Sequence, residues 1–174
     1  MTGLDVTEVS AELTRFVPGR RVDDDAQVRL RFANGAKGML WASQVATGCQ
    51  NGLALRVFGT AGGLSFRQES PDELWFTPRG EPARRLTRGG PSLGAAAARA
   101  TRVPAGHPEG YLEAFAQLYR DMADHVEARR TNSPVDPHAA LLPNVRDGAR
   151  SIHFVDAALR SSREAGAWVP VQLG

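Results

Sequence analysis

The chain has 174 residues, 42% of them hydrophobic and 23% charged, with a net charge of +2. That is enough for one domain with its own core, 1–174, and too little for two comfortable ones. A single cysteine, Cys49, excludes an internal disulfide, and no apolar run approaches the about 20 residues that span a bilayer. With no signal-peptide core at the N-terminus, the expected location is the cytoplasm.

The first ninety residues read as strands. Val6 to Phe16 is closed by Pro18-Gly19. Ala26, Val28, Leu30 and Phe32 then alternate with Gln27, Arg29 and Arg31, the period of a half-buried strand. Asn34-Gly35 follows, and both residues tolerate the positive φ of a tight hairpin turn. The return strand is predicted from Ala36 to Ala46. Leu53 to Phe58, Leu64 to Gln68, Glu73 to Thr77 and Arg84 to Thr87 complete a meander punctuated by glycine and proline. Strands joined by short turns imply antiparallel pairing.

The second half reads as helical. Pro91 to Pro104 is a small-residue connection, with a short helix over Ala95 to Ala98. A helix is predicted to open at Pro108, since proline suits the first helical position. Leu112, Phe115, Leu118, Tyr119, Met122 and Val126 give it one apolar stripe. After a proline-containing loop, a second helix opens at Asn144, with Asp147 three positions on as in a capping box. Val145, Ala149, Ile152, Val155 and Leu159 are its predicted buried face, Gly166 ends it, and Trp168 to Val171 makes a last short strand. The expected class is α+β: a large, mostly antiparallel sheet with helices packed on one face.

Two helices cover one face only. The other face should then carry an open apolar patch, including either Trp41 and Val45 or Leu40 and Ala42, which predicts a homo-oligomer. Arg84, Arg85, Arg88, Arg99 and Arg102 gather in one stretch, but no aromatics interleave with them. They read as a solvated loop, so no nucleic-acid partner is expected.

Gly106-His-Pro-Glu-Gly-Tyr-Leu-Glu-Ala-Phe115, with Leu118-Tyr119-Arg120-Asp121 after it, is the most specific segment. It resembles the GHPEGYxEAFxxLY pattern of a sugar-oxidising branch of the glucose-fructose oxidoreductase, inositol dehydrogenase and rhizopine-catabolism (Gfo/Idh/MocA) family. Supporting pieces are Thr7-Glu-Val-Ser-Ala11, Asp24-Asp25, Arg31-Phe-Ala-Asn-Gly35, Trp41-Ala-Ser-Gln44 and Val57-Phe-Gly-Thr-Ala-Gly-Gly-Leu64, then Asp147-Gly148, Ser161-Ser162 and Trp168-Val169. The resemblance covers essentially the whole chain and is to the family's C-terminal domain.

The resemblance implies a two-domain subunit. An N-terminal Rossmann domain carries NAD or NADP, the C-terminal sheet backs a sugar or polyol site, and the sheet's outer face commonly meets another subunit. The family's catalytic Glu-Lys-Pro and Asp-x-Gly-x-x-x-His (or Asp-x-Gly-x-His) motifs do not occur here, nor does a G-x-G-x-x-G opening a helix. Without them no catalytic or cofactor-binding residue is expected, and the chain alone should bind no nicotinamide cofactor. Three readings stand: a domain that binds sugar-like ligands or assembles with itself, half of a sugar dehydrogenase whose Rossmann partner is encoded separately or lost to a misplaced start, and a structural oligomerisation module.

His107 is the first site candidate. At the mouth of the predicted helix, a neutral imidazole either hydrogen-bonds a sugar hydroxyl, with Glu109 or Tyr111 orienting it, or caps the helix. Trp41, Gln44 and Asn51 form a second candidate set, an aromatic ring with amides, although Trp41 and Gln44 fall on opposite strand faces; Trp41 reads as core or interface. Gly59-Thr-Ala-Gly62-Gly63 reads as a tight turn, because a strand rather than a helix follows it. Asp23-Asp24-Asp25 reads as a solvated turn, and neither it nor His153 with Asp156 has metal-site spacing.

Overall fold

The computed structural model describes residues 2–91 and 93–171, so Ser92, within the expected connection, lies outside the described residues. The chain divides into two compact units, Met1–Gly48 with Pro143–Gly174, and Cys49–Leu142. Strands and helices are all antiparallel ladders and separate helices, so the α+β class holds, with the strands forming two four-stranded sheets.

In the first unit, β1 (Val6–Thr14), β2 (Asp25–Phe32), β3 (Lys37–Ser43) and β8 (Val169–Pro170) pair in the order β3-β2-β1-β8. The β2–β3 turn forms where Asn34-Gly35 predicts it. Gly35 has φ 83°, and the Phe32 and Ala36 backbones close the loop at 3.0 Å. Helix α3 (Val145–Arg163) packs on β1, and Val9, Ala11, Val28, Ala157, Ala158 and Val169 make the buried core between them. Asn144 caps α3 as expected, its side chain accepting the Arg146 amide at 2.8 Å while Asp147 accepts the Asn144 amide at 2.9 Å.

One expectation changes here. The face of α3 that meets the sheet is Phe154, Ala157, Ala158 and Ser161, whereas Val145, Ile152 and Val155 stand exposed. Small side chains win because they let helix and strand backbones approach, and hydroxyls can then bond across. The Ala11 amide donates to Ser161 Oγ at 2.8 Å and the Leu13 amide to Ser162 Oγ at 3.1 Å. The register also puts Ser10, Glu12, Gln27, Arg29, Met39 and Trp41 on the opposite face. Met39 and Trp41 are exposed there.

In the second unit, β4 (Ala54–Phe58), β5 (Gly62–Arg67), β6 (Glu73–Pro78) and β7 (Arg84–Thr87) form a simple meander. Leu55, Val57, Phe66, Leu74, Phe76 and Leu86 share one face and are half-buried. The short helix α1 (Ala95–Ala100) precedes the long helix α2 (Tyr111–Thr131), whose main packing partner is the single 3-10 turn Ala139–Leu141. The predicted stripe of α2 therefore faces outward: Leu112, Phe115, Leu118, Tyr119, Met122 and Val126 are all exposed.

Candidate functional site

The segment from Arg102 to Glu113 lies within the second unit and carries all three predicted ligand residues. Helix α2 begins at Tyr111, not Pro108. Gly110 is its N-cap, and the Gly110 amide donates to the Glu113 carboxylate at 2.8 Å. This bond is the first cause that holds the Glu113 carboxyl below its usual range. The helix cannot reach back to Pro108 because residues 107–109 are drawn elsewhere by side-chain bonding.

What draws them is Arg88, the residue after β7. Its Nη1 lies 2.6 Å from Glu109 Oε2 and donates to the Val103 carbonyl at 2.8 Å. Its Nε bonds Asp72 at 2.6 Å, and its Nη2 donates to the carbonyls of His107 and Pro104. Glu109 completes the connection by accepting the Arg102 amide at 2.9 Å and the Val103 amide at 3.2 Å. Only 4% of the Glu109 side chain and 15% of the Arg88 side chain reach solvent. Gly106 turns the loop with φ 86°, a conformation that disfavours side chains.

His107 and Tyr111 flank this anchor differently. His107 is exposed, and its backbone rather than its ring is held by Arg88. Since Gly110 and Glu113 cap α2, His107 is not the cap, which removes one of its two readings. Tyr111 is 66% exposed and packs its ring against Phe115 with centroids 4.9 Å apart, tilted by 51°. Glu109 differs from both: its oxygens already serve a guanidinium and two amides, so its charge is spent inside the protein.

The second candidate set divides between the two units, Trp41 and Gln44 in the first and Asn51 in the second. The Trp41 indole donates to Asp25 Oδ2 at 2.8 Å, and Trp41 is 61% exposed, so it is not a core residue. Asn51 donates to Gln68 instead. The aspartate run is corrected outright: Asp24 and Asp25 are buried. Asp24 accepts the Phe16 amide at 2.7 Å and the Val17 amide at 3.0 Å, with Arg20 3.4 Å away. The Phe16 bond first, then that of Val17 and the Arg20 charge, hold the Asp24 carboxyl low against the opposing cost of burial. For Asp25 the Trp41 indole is the leading cause. Among the described residues no group of three or more His, Cys, Asp or Glu side chains could hold a metal.

Of the arginine stretch, Arg84, Arg85 and Arg102 are exposed as expected, whereas Arg88 and Arg99 are not. Arg85 pairs with Glu73 at 3.0 Å, Arg84 with Glu81, and Arg102 bonds Gln117 at 3.2 Å. Arg99 is mostly buried against Asp121 and Asp124 of α2, with Asp136 3.6 Å away. Arg88 and Arg99 are thus internal fasteners, which sequence reading missed because Glu109 and Asp121 lie far along the chain.

Neither the glycine-rich turn nor the N-termini of the long helices offer a pyrophosphate site. Gly59–Gly63 turns directly into β5, and a side chain at Gly62 would meet the Thr77 carbonyl at 2.5 Å, so that glycine serves strand packing. The N-termini of both long helices are already occupied by carboxylates, Glu113 on α2 and Asp147 on α3, and these would repel a pyrophosphate.

A family model described as the GFO/IDH/MocA C-terminal domain matches residues 1–65. An oxidoreductase structure from Sinorhizobium meliloti is 51% identical and superposes with a TM-score of 0.91, covering 96% of this chain and 47% of its own. The inositol dehydrogenase homolog from Azotobacter vinelandii, in complex with NADH and myo-inositol, is 29% identical with a TM-score of 0.87, over 97% of this chain and 45% of that one. Levoglucosan dehydrogenase of Pseudarthrobacter phenanthrenivorans is 28% identical over 154 residues, 86% of this chain and 36% of the relative. The chain thus spans less than half the length of each of these relatives.

Proposed function

We propose that this chain, a member of the GFO/IDH/MocA C-terminal domain family, supplies the sugar- or polyol-binding wall of an NAD- or NADP-dependent oxidoreductase, and does not itself transfer hydride. The likeness along 97% of the chain to a protein bound to NADH and myo-inositol carries this reading. The nicotinamide cofactor, which accepts hydride when bound, belongs in this proposal to a Rossmann domain outside these residues. Within them, the His107 imidazole offers a hydrogen bond to a hydroxyl, and the exposed Tyr111 ring offers an apolar surface to the C–H face of the ring. Glu109 enters as the anchor of that segment rather than as a contact.

Titrating the protein with myo-inositol and with hexoses, followed by NMR, tests the reading. The expected result is saturable shifts at the His107 and Tyr111 rings. Shifts confined to other residues would refute the site, and saturable micromolar binding of NAD(H) or NADP(H) to the chain alone would refute the division of labour.

The same reading treats residues 1–174 as one substrate-binding and oligomerisation domain. Exposed Met39 and Trp41, and the outward stripe of α2, support self-association or a Rossmann partner. Light scattering that gives a monomer near 18.7 kDa at every concentration would eliminate the homo-oligomer.

A further inference from the structure

We propose that Arg88 is the positioning residue of this site: paired with Glu109, it clasps the loop that carries His107 and thereby sets ligand affinity without touching the ligand. The inference rests on the reading of His107 and Tyr111 as sugar or polyol contacts.

The loop from Arg102 to Gly110 has neither a strand ladder nor a helix to satisfy its backbone, and Pro104, Gly106 and Pro108 interrupt it. Its polar groups must find partners elsewhere. Most of those found converge on one ion pair. The carbonyls of Val103, Pro104 and His107 accept from Arg88, and the amides of Arg102 and Val103 donate to Glu109. Asp72 orients the guanidinium from the other side through Nε. Neighbouring Gly89, at φ 70°, sits closely against the loop, where a Cβ would lie 3.2 Å from the Ala105 Cβ. The end of β7 and the loop are therefore pressed together at the point where the charges meet.

A planar fork of five donors can serve three carbonyls and two carboxylates at once, and an ammonium cannot. Arg88 fixes the backbone of His107 and, through Glu109, the residue before the α2 N-cap. Both proposed contacts are thus presented in a set geometry before any ligand arrives. Such preorganisation strengthens binding by removing the entropy cost of ordering the loop.

Hydrogen exchange and polyol titration of the same proteins test this. In Arg88→Lys and in Glu109→Gln, exchange at the Arg102 and Val103 amides should rise by about tenfold or more, the factor expected on weakening charged hydrogen bonds. The Ser65 and Trp75 amides of the β5–β6 ladder should stay protected and serve as the folding control. The dissociation constant for myo-inositol should rise with loop exchange, while the Tyr111 shift at saturation stays the same. Should Arg88→Lys lose the ladder protection, Glu109→Gln, which keeps shape and one acceptor, decides alone. Unchanged Arg102 and Val103 exchange in Glu109→Gln would overturn the clasp. Faster exchange with unaltered polyol affinity would overturn its positioning role. A wild-type protein that binds no polyol would overturn the sugar-site reading, and the role in affinity with it, whatever the amides do.

Discussion

Helices α2 and α3 are of similar length, yet they are held by different physics. Helix α3 is seated by small residues: Ala157 and Ser161 are completely buried, and hydroxyls bond directly to the backbone of β1. Helix α2 is held at intervals by charge. Arg99 grips Asp121 and Asp124 at mid-helix, the Arg88–Glu109 pair fixes the approach to its N-cap, and His125 Nε2 lies 3.0 Å from the Ala139 carbonyl. A large apolar stripe did not determine which side of either helix was buried. Close approach and specific fasteners did, and the large apolar side chains were left facing outward.

The contrast can be broken most forcefully at Arg88. Arg88→Met strands the Glu109 carboxylate and should cost about 3–5 kcal/mol, the usual penalty for removing one partner of a buried ion pair. Urea unfolding read at Trp75 would measure it, and a loss under about 1 kcal/mol would mean that the pair is effectively solvated. Next comes the α3 seat. Ser161→Val leaves the Ala11 amide without a partner and should cost about 1–3 kcal/mol. Ala157→Leu should cost a similar amount, about 1–3 kcal/mol, by overpacking. Thermal or urea unfolding followed at Trp168 reports both; neutral behaviour in both would show that the seat is loose.

Acid should separate the two helix starts. The folded-state pKa of Glu113 is lowered, so its contribution is complete above the ordinary glutamate value and disappears as pH falls through the lower, folded value. The α2 cap should then open, whereas α3 retains the uncharged Asn144 acceptor. Exchange at the Gly110 amide against the Arg146 amide, between about pH 5 and pH 2, checks this, since ordinary carboxylates titrate near the top of that window. Equal fraying at both would refute it. The smallest effect belongs to the outward stripe: Met122→Ser should change the stability of the monomer by no more than about 0.5 kcal/mol. A larger loss at high protein concentration alone would show that another surface covers the stripe.

Much of the fold was legible because its signals are local. The Asn34-Gly35 hairpin, the strand Arg84–Thr87 and the Asn144–Asp147 cap depend on neighbours a few residues apart. The misreadings share a different cause. Asp24 looks like part of a solvated acidic run until the chain folds the Phe16 and Val17 amides onto it. Arg88 and Arg99 look like loop cations until Glu109 and Asp121, 21 and 22 residues away, arrive beside them. The burying face of α3 was hidden because alanine and serine carry little hydrophobic weight, though their smallness is what permits contact. The segment from His107 to Tyr111 was singled out as a candidate by its motif alone. The way Arg88 and Glu109 hold it could not be read there, since that depends on charges brought together only by the fold.

The serine bonds at the end of α3 also give the first sheet two unlike borders. Strand β8 pairs with β1 only at Glu8 and Val9, which would leave the amides of Ala11 and Leu13 open along the same border. Ser161 and Ser162 occupy them, so that border offers no template on which another chain could add a strand. Strand β3 pairs on one side only. Strand addition therefore has its long open border along Lys37–Ser43, whereas on the β1 side the stretch beyond β8 is protected by a helix terminus rather than by another strand.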